Sequence, residues 1–243
     1  QPPRRRLFFH VRHVKCKEKY RQSMRRDLIS MQHAADFYLR FRPLRHISVP
    51  GFYRTALVIG ADSMSHVVDW RDRSTCILFG DGAGAVVLRA EEGGMFVQAA
   101  HSDGRKGAVL TGYSRHRKDW DAPGREKDAY IQMDGQSVFK FAVRRVPEIV
   151  EELLEKAQIQ KEKFRISFYI RRTEGSLRLR QKRTGVDISR FPMNLQEYGN
   201  TSAASIPILL DEWNKKGLLK KGDKLVLAGF GAGLSWAGSL LEW

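Results

Sequence analysis

Two stretches of this chain share one design. TCILFGDGAGAVVLRA (75–90) and DKLVLAGFGAGLSWAGSLLEW (223–243) each run from an apolar segment through a G-x-G step into a second apolar segment. Glycine at Gly80, Gly82 and Gly84 permits a tight hairpin between two strands. A strand–turn–strand unit that recurs within one chain points to an α/β architecture with two similar halves. A dinucleotide-binding reading of GDGAGA is weak, because a strand and not a helix follows the glycines.

The segments around these units fit the same class. TALVIGAD (55–62) is a short apolar run closed by glycine and aspartate, as a buried strand is, and MFVQAAHSD (95–103) is a third strand candidate. The polar stretch 112–129, with Pro123 and Gly124, reads as a long loop and a candidate boundary, dividing the body into 55–120 and 121–243. In QSVFKFAVRRVPEIVEELLEKAQI, apolar residues such as Val138, Phe141, Ala142, Val146, Ile149 and Leu153 recur at helical spacing; Pro147 either kinks this helix or starts a second one. A second amphipathic helix runs to about Asn214 and is closed by Lys215, Lys216 and Gly217.

The charge is distributed unevenly. The 243 residues carry a formal net charge of +16, which taken whole suggests an anionic partner. Residues 1–54, however, hold 14 Lys/Arg against 3 Asp/Glu, residues 164–183 hold 7 against 1, and the remaining body is near neutral with 22 against 23. Neither basic segment sustains a helical or strand period, and both place Arg and Lys where an apolar strand or helix is due. Arms on nucleic acid are one reading, with aromatics interleaved with arginine in FYLRFR; salt-dependent retention on DNA would support it. The composition is 42% hydrophobic, enough for one sizeable core or two small ones. Cys16 and Cys76 make neither a disulfide framework nor a metal-binding spacing, so a reducing, cytoplasmic setting is expected, with no metal. No apolar run reaches the roughly 18 residues of a membrane span.

QEYGNTSAAS (196–205) places Gly199, Asn200, Thr201 and Ser202 directly before a helix. Asn, Thr and Ser are good N-caps and glycine permits a tight turn, which accounts for the stretch on propensity alone.

Taken together, RSTCILFGDGAGAVVL, YGNTSAASIPILLDEW and GFGAGLSWAGSLLEW resemble the β-ketoacyl-acyl-carrier-protein synthase III family, thiolase-fold condensing enzymes that start bacterial fatty-acid synthesis. The resemblance covers 55–163 and 184–243 and implies a five-layer α-β-α-β-α fold, a homodimer, and family residues ahead of this start. It implies acetyl-CoA and malonyl-acyl-carrier protein as substrates, coenzyme A thioester chemistry without a further cofactor, and neither a membrane nor a nucleic acid as partner. A cysteine takes the acetyl group; a histidine and an asparagine then assist decarboxylation of the malonyl thioester, whose carbanion attacks the acyl-cysteine. Asn200 falls on the catalytic asparagine, and Ala232 on the residue whose backbone N–H completes the oxyanion hole. Phe230 matches a pocket phenylalanine and Arg73 a coenzyme A contact. Gly135 lies where the family lines the pantetheine tunnel, Gln136 stands where an asparagine is common, and Lys140 matches a basic position that docks the acidic carrier protein.

Two of the three catalytic residues are missing. The nucleophilic cysteine is expected at about Met31 and the histidine at about Ile170, both inside the basic segments. Cys76 lies in the strand of the TCILFGDG motif, where it packs as a small apolar residue. Codon arithmetic suggests a cause. Ser30-Met31-Gln32 can be AGC ATG CAG, which in a shifted frame contains Ala-Cys. Tyr169 to Thr173 can be TAC ATC AGG CGA ACC, which in a shifted frame contains CAT CAG GCG AAC, or His-Gln-Ala-Asn. Segments read out of frame would also explain the arginine excess. A non-catalytic relative of the family and a basic nucleic-acid-binding protein are the alternatives.

Overall fold

The structure, a computed structural model, describes residues 5–10, 55–92, 95–112, 130–160, 166–169 and 190–243; Cys16, Met31, Ile170 and the loop expected beyond Gly112 lie outside the described residues. The strands are β1 (Arg5–His10), β2 (Thr55–Asp62), β3 (Gly82–Glu92), β4 (Phe96–Ser102), the two-residue β5 (Leu110–Thr111) and β6 (Gln132–Met133), β7 (Ile166–Tyr169), β8 (Lys224–Gly231) and β9 (Ser235–Glu242). The α-helices are α1 (Arg73–Cys76), α2 (Gly135–Ala157), α3 (Leu195–Tyr198) and α4 (Ser205–Lys215).

A first sheet has the order β1-β3-β2, all antiparallel; a second has the order β4-β9-β8-β7, in which only β7 runs parallel to its neighbour, β8; β5 and β6 form a small antiparallel pair of their own. A parallel pair needs a crossover, and α4 supplies it between β7 and β8. The alternation of side chains along the strands shows how the layers stack. On β8 and β9, Leu225, Leu227, Ala237 and Leu241 join Ile206, Leu209 and Leu210 of α4 in one core that also takes Val58, Val86 and Leu88 of the first sheet. The alternate residues Val226, Ala228, Trp236 and Leu240 face Val138, Val146, Ile149 and Leu153 of α2 in a second core. The order is therefore sheet, α4, sheet, α2: four of the five layers of the thiolase-like α/β fold. Helices on both faces explain why β8 and β9 are apolar and buried almost throughout, whereas β2 buries one face. The outer face of the first sheet carries Leu57, Ile59, Ala85 and Val87, all partly or largely open, where the five-layer arrangement calls for a further helical layer.

The expected hairpin at Gly80–Gly84 does not form. Arg73–Cys76 is a short helix, not a strand, so Cys76 is half-buried at a helix end. Gly82 and Gly84 lie inside one continuous strand paired with Ala61–Asp62 and Gly60. The glycines serve close approach instead. A Cβ at Gly84 would stand 2.9 Å from Pro207 Cβ, and one at Gly82 3.0 Å from Thr201 Cβ, so α4 and its leading turn rest directly on the strand. The second unit is the expected hairpin: β8 and β9 pair from Lys224–Glu242 to Gly231–Ser235 around a 3-10 turn, Ala232–Leu234. The two units are alike in sequence but not in local structure.

Helix α2 is one 23-residue helix with Pro147 inside it. Asp134 caps it, its carboxylate accepting from Ser137 N–H at 3.0 Å. The basic segments are not wholly irregular: β1 pairs with β3 through residues 87–92, and β7 pairs with β8 from Ile166–Leu225 to Tyr169–Ala228. The chain passes from the first sheet to the second between Glu92 and Phe96. Among the described residues no helix is long and apolar enough to cross a membrane.

Candidate active site at the Asn200 turn

Asn200 is held by backbone before its side chain comes into play. Helix α3 ends at Gly199, whose φ of +68° suits glycine. Asn200 N–H then donates to Leu78 C=O at 2.8 Å, and Gly80 N–H to Asn200 C=O at 3.1 Å, so Asn200 and Phe79 form an isolated parallel bridge. The passage is tight: a Cβ on Gly80 would overlap the carbonyl oxygen of Tyr198 and stand 3.1 Å from its carbonyl carbon.

The residue is 7% exposed, and its side-chain Oδ1 accepts from Ser202 N–H at 3.0 Å. Only the amide oxygen can face an N–H donor, so this bond sets which way the amide points. The Nδ2 amino group donates to nothing among the described residues, which leaves two donors for a ligand. Asn200 does not cap α4: the helix follows Ala204 without a side-chain cap, through the 3-10 turn Ser202–Ala204. Thr201 N–H donates to Ser205 Oγ at 3.1 Å, the Thr201 and Ser205 hydroxyls meet at 2.9 Å, and Ala203 N–H donates to Asp62 Oδ2 at 2.9 Å. Ser202 takes a left-handed φ of +52°, uncommon for a residue other than glycine. A buried turn with a left-handed residue and a spare amide donor can meet developing negative charge without rearranging.

Ala232 and Phe230 share the end of the β8–β9 hairpin. Ala232 is half-buried between Gly231 and Gly233. Phe230 is buried and meets Phe141 of α2 edge-on at 6.2 Å; Phe141 meets Trp236 the same way at 5.4 Å. The Arg145 guanidinium lies 4.6 Å from the Trp236 ring centre and His101 stacks on that ring at 5.3 Å, so the hairpin stem is gripped by α2 and β4. The tip is tied by Leu234, which exchanges two backbone bonds with Asp103, at 2.8 and 3.0 Å. Arg105 donates to the Asp103 carboxylate from Nε at 2.8 Å and Nη2 at 2.9 Å, which holds that carboxyl down to about 2 from the ordinary 3.8. Because the folded value lies below the ordinary one, the stabilisation is complete above the ordinary value and fades as the pH falls towards about 2. Arg105→Ala is expected to move the Asp103 midpoint back up towards 3.8 in a carboxyl ¹³C titration; an unmoved midpoint would refute the pairing.

Gly135, Gln136 and Lys140 sit together on the first turns of α2, all exposed. Arg73 begins α1 and is exposed, on the segment that leads to Phe79 and Gly80 and so to the Asn200 bridge. The expected histidine position, Ile170, follows Tyr169, which pairs with Ala228 on the strand that ends at the Ala232 turn. The expected cysteine position, Met31, lies outside the described residues. Sequence reading missed Asp62, taken only as the close of a strand, and Asp103. A carboxylate at a strand end was the available signal for each, but not its target. Among the described residues no group of His, Cys, Asp and Glu could hold a metal ion.

Residues 45–104 match the family model of 3-oxoacyl-[acyl-carrier-protein] synthase III, and residues 154–243 match that of its C-terminal domain, running across 164–183. A β-ketoacyl-[acyl-carrier-protein] synthase III of Clostridium tetani is 42% identical over 207 residues, 79% of this chain and 61% of that protein. One of Synechococcus sp. WH7803 is 45% identical over 201 residues, 79% of this chain and 59% of that protein. The chain thus spans about three fifths of the length of these relatives. The solved 3-oxoacyl-[acyl-carrier-protein] synthase III of Aquifex aeolicus superposes with a TM-score of 0.77 at 33% identity, covering 87% of this chain and 65% of that one. The priming β-ketosynthase of the R1128 polyketide pathway superposes with a TM-score of 0.78 at 29% identity, covering 87% and 64%.

Proposed function

The chain belongs to the β-ketoacyl-acyl-carrier-protein synthase III family, and from that premise we propose that it derives from an acyltransferase that condenses acetyl-CoA with malonyl-acyl-carrier protein to begin fatty-acid synthesis. The reaction is a decarboxylative Claisen condensation, run in the cytoplasm by a homodimer. The observation that carries this reading is the Asn200 amide, buried, with its oxygen engaged by Ser202 N–H and its amino group left to donate. In this role Asn200 Nδ2 and the Ala232 N–H hold the malonyl thioester oxygen as it gains charge on loss of carbon dioxide. Phe230 shapes the pocket. Gly135 and Gln136 line the pantetheine path, Arg73 contacts the coenzyme A nucleotide, and Lys140 meets the acidic carrier protein.

As written, the chain lacks both the nucleophile and the histidine of this chemistry. Without a thiolate at the Met31 position no acyl-enzyme forms, and without the histidine at the Ile170 position the decarboxylation site is incomplete. Incubation with radiolabelled acetyl-CoA is expected to leave the protein unlabelled. Stoichiometric, hydroxylamine-sensitive labelling would overturn this reading.

A further inference from the structure

We propose that Asp62 is a positioning residue for Asn200, acting across the layers through the left-handed turn at Ser202. The inference rests on the reading of Asn200 given above.

The Asn200 amide takes its direction from one bond, the Ser202 N–H to Oδ1 contact at 3.0 Å. Where that N–H points depends on the Ser202 backbone, which sits at φ +52°, a region disfavoured for any residue other than glycine. Such a conformation persists only where neighbouring groups hold it. On the Thr201 side the holding groups are the two contacts to Ser205 Oγ, at 3.1 and 2.9 Å. On the Ala203 side the holding group is Asp62, whose Oδ2 accepts Ala203 N–H at 2.9 Å from 141 residues away in sequence. That N–H belongs to the first turn of a 3-10 helix and has no partner within it; a carboxylate acceptor makes the bond a charge-assisted one. Asp62 is itself well placed to act as an anchor. It ends β2 in register with Gly82, and two residues earlier the missing side chain of Gly60 lets the Ala203 carbonyl lie against the strand, where a Cβ would stand 2.6 Å from Ala203 C. The carboxylate pulls on one end of the Ser202–Ala203 peptide, and the Ser202 N–H at the other end of the residue aims the Asn200 amide. Removing the carboxylate frees the peptide to rotate out of the left-handed region and releases the amide.

The test uses the full 243-residue chain. In ¹H–¹⁵N spectra, Asp62→Ala is expected to move the Ala203 amide upfield and, with it, the Asn200 side-chain amide pair, identified by its loss in Asn200→Ala. Asp62→Asn, which keeps an acceptor, is expected to leave the Asn200 pair near its original place, with thermal unfolding of all variants checked in parallel. In titrations with malonyl-CoA, Asp62→Ala and Asn200→Ala are each expected to weaken binding by about tenfold, and the double variant by about the same tenfold, because both remove one unit. The proposal is overturned if Asp62→Ala shifts Ala203 and leaves the Asn200 pair in place, or if the two losses multiply to about a hundredfold. If the unmodified chain does not bind malonyl-CoA, the reading of Asn200 fails, and the resonances alone decide for or against Asp62.

Discussion

Replacing Gly80 with alanine is expected to unfold this chain or to cost it about 3 kcal/mol or more, at or above the upper end of ordinary overpacking. The new Cβ would overlap the Tyr198 carbonyl oxygen, a backbone atom that has no rotamer to change. Relief requires Gly80 to part from Asn200, breaking the 3.1 Å bond from Gly80 N–H and the Phe79–Asn200 bridge with it. Gly60→Ala is expected to be nearly as damaging, since its Cβ meets the Ala203 carbonyl. For a chain of this length such a loss lowers the melting temperature by roughly 6–12 °C. Gly104→Ala is the control: nothing lies within 4 Å of its Cβ, and a change within about 0.5 kcal/mol is expected. Thermal melts of the three variants decide the matter, and a Gly80→Ala melt as mild as that of Gly104→Ala would show that the Asn200 turn does not press on the segment at Gly80.

Correcting the reading frame across each basic segment is expected to restore the two catalytic motifs that an acyl-enzyme requires. Single-base corrections flanking the segments should bring Ala-Cys to the Met31 region and His-Gln-Ala-Asn to the Ile170 region. The register supports the second placement: β7 already lies parallel to β8, and its last described residue, Tyr169, pairs with Ala228, three residues short of the Gly231–Ala232 turn. The corrected segments should also lose most of their basic charge, now a net +11 over 1–54 and +6 over 164–183, since a packed strand or helix cannot hide unpaired arginines. Resequencing the gene is the direct observation, and labelling of the corrected chain the functional one. If every base is confirmed and neither shifted frame encodes Cys or His at these places, the chain is a non-catalytic relative of the family.

The sequence by itself determined the elements whose pattern is local. Alternation or unbroken apolarity marked β2, β4, β8 and β9, and helical spacing marked α2 and α4; the GNTSAAS stretch read locally as a cap, and only the family resemblance singled out Asn200. What it could not distinguish were two uses of the same signal. G-x-G between apolar runs makes a hairpin at Gly231–Gly233, where the flanking strands pair with each other. At Gly80–Gly84 it makes none, because those positions are occupied from outside by Tyr198, Thr201 and Pro207. A glycine chosen for its turn and a glycine chosen for its missing side chain read alike, and only the layer packed against it tells them apart. The Asn200 site divides in the same way. Its asparagine is legible in sequence, but the direction of its amide depends on Ser202 being held left-handed, and one of the groups that holds it is a carboxylate 141 residues away from Ala203. No periodicity or local propensity carries that pairing, since it exists only once the first sheet and the turn before α4 are stacked.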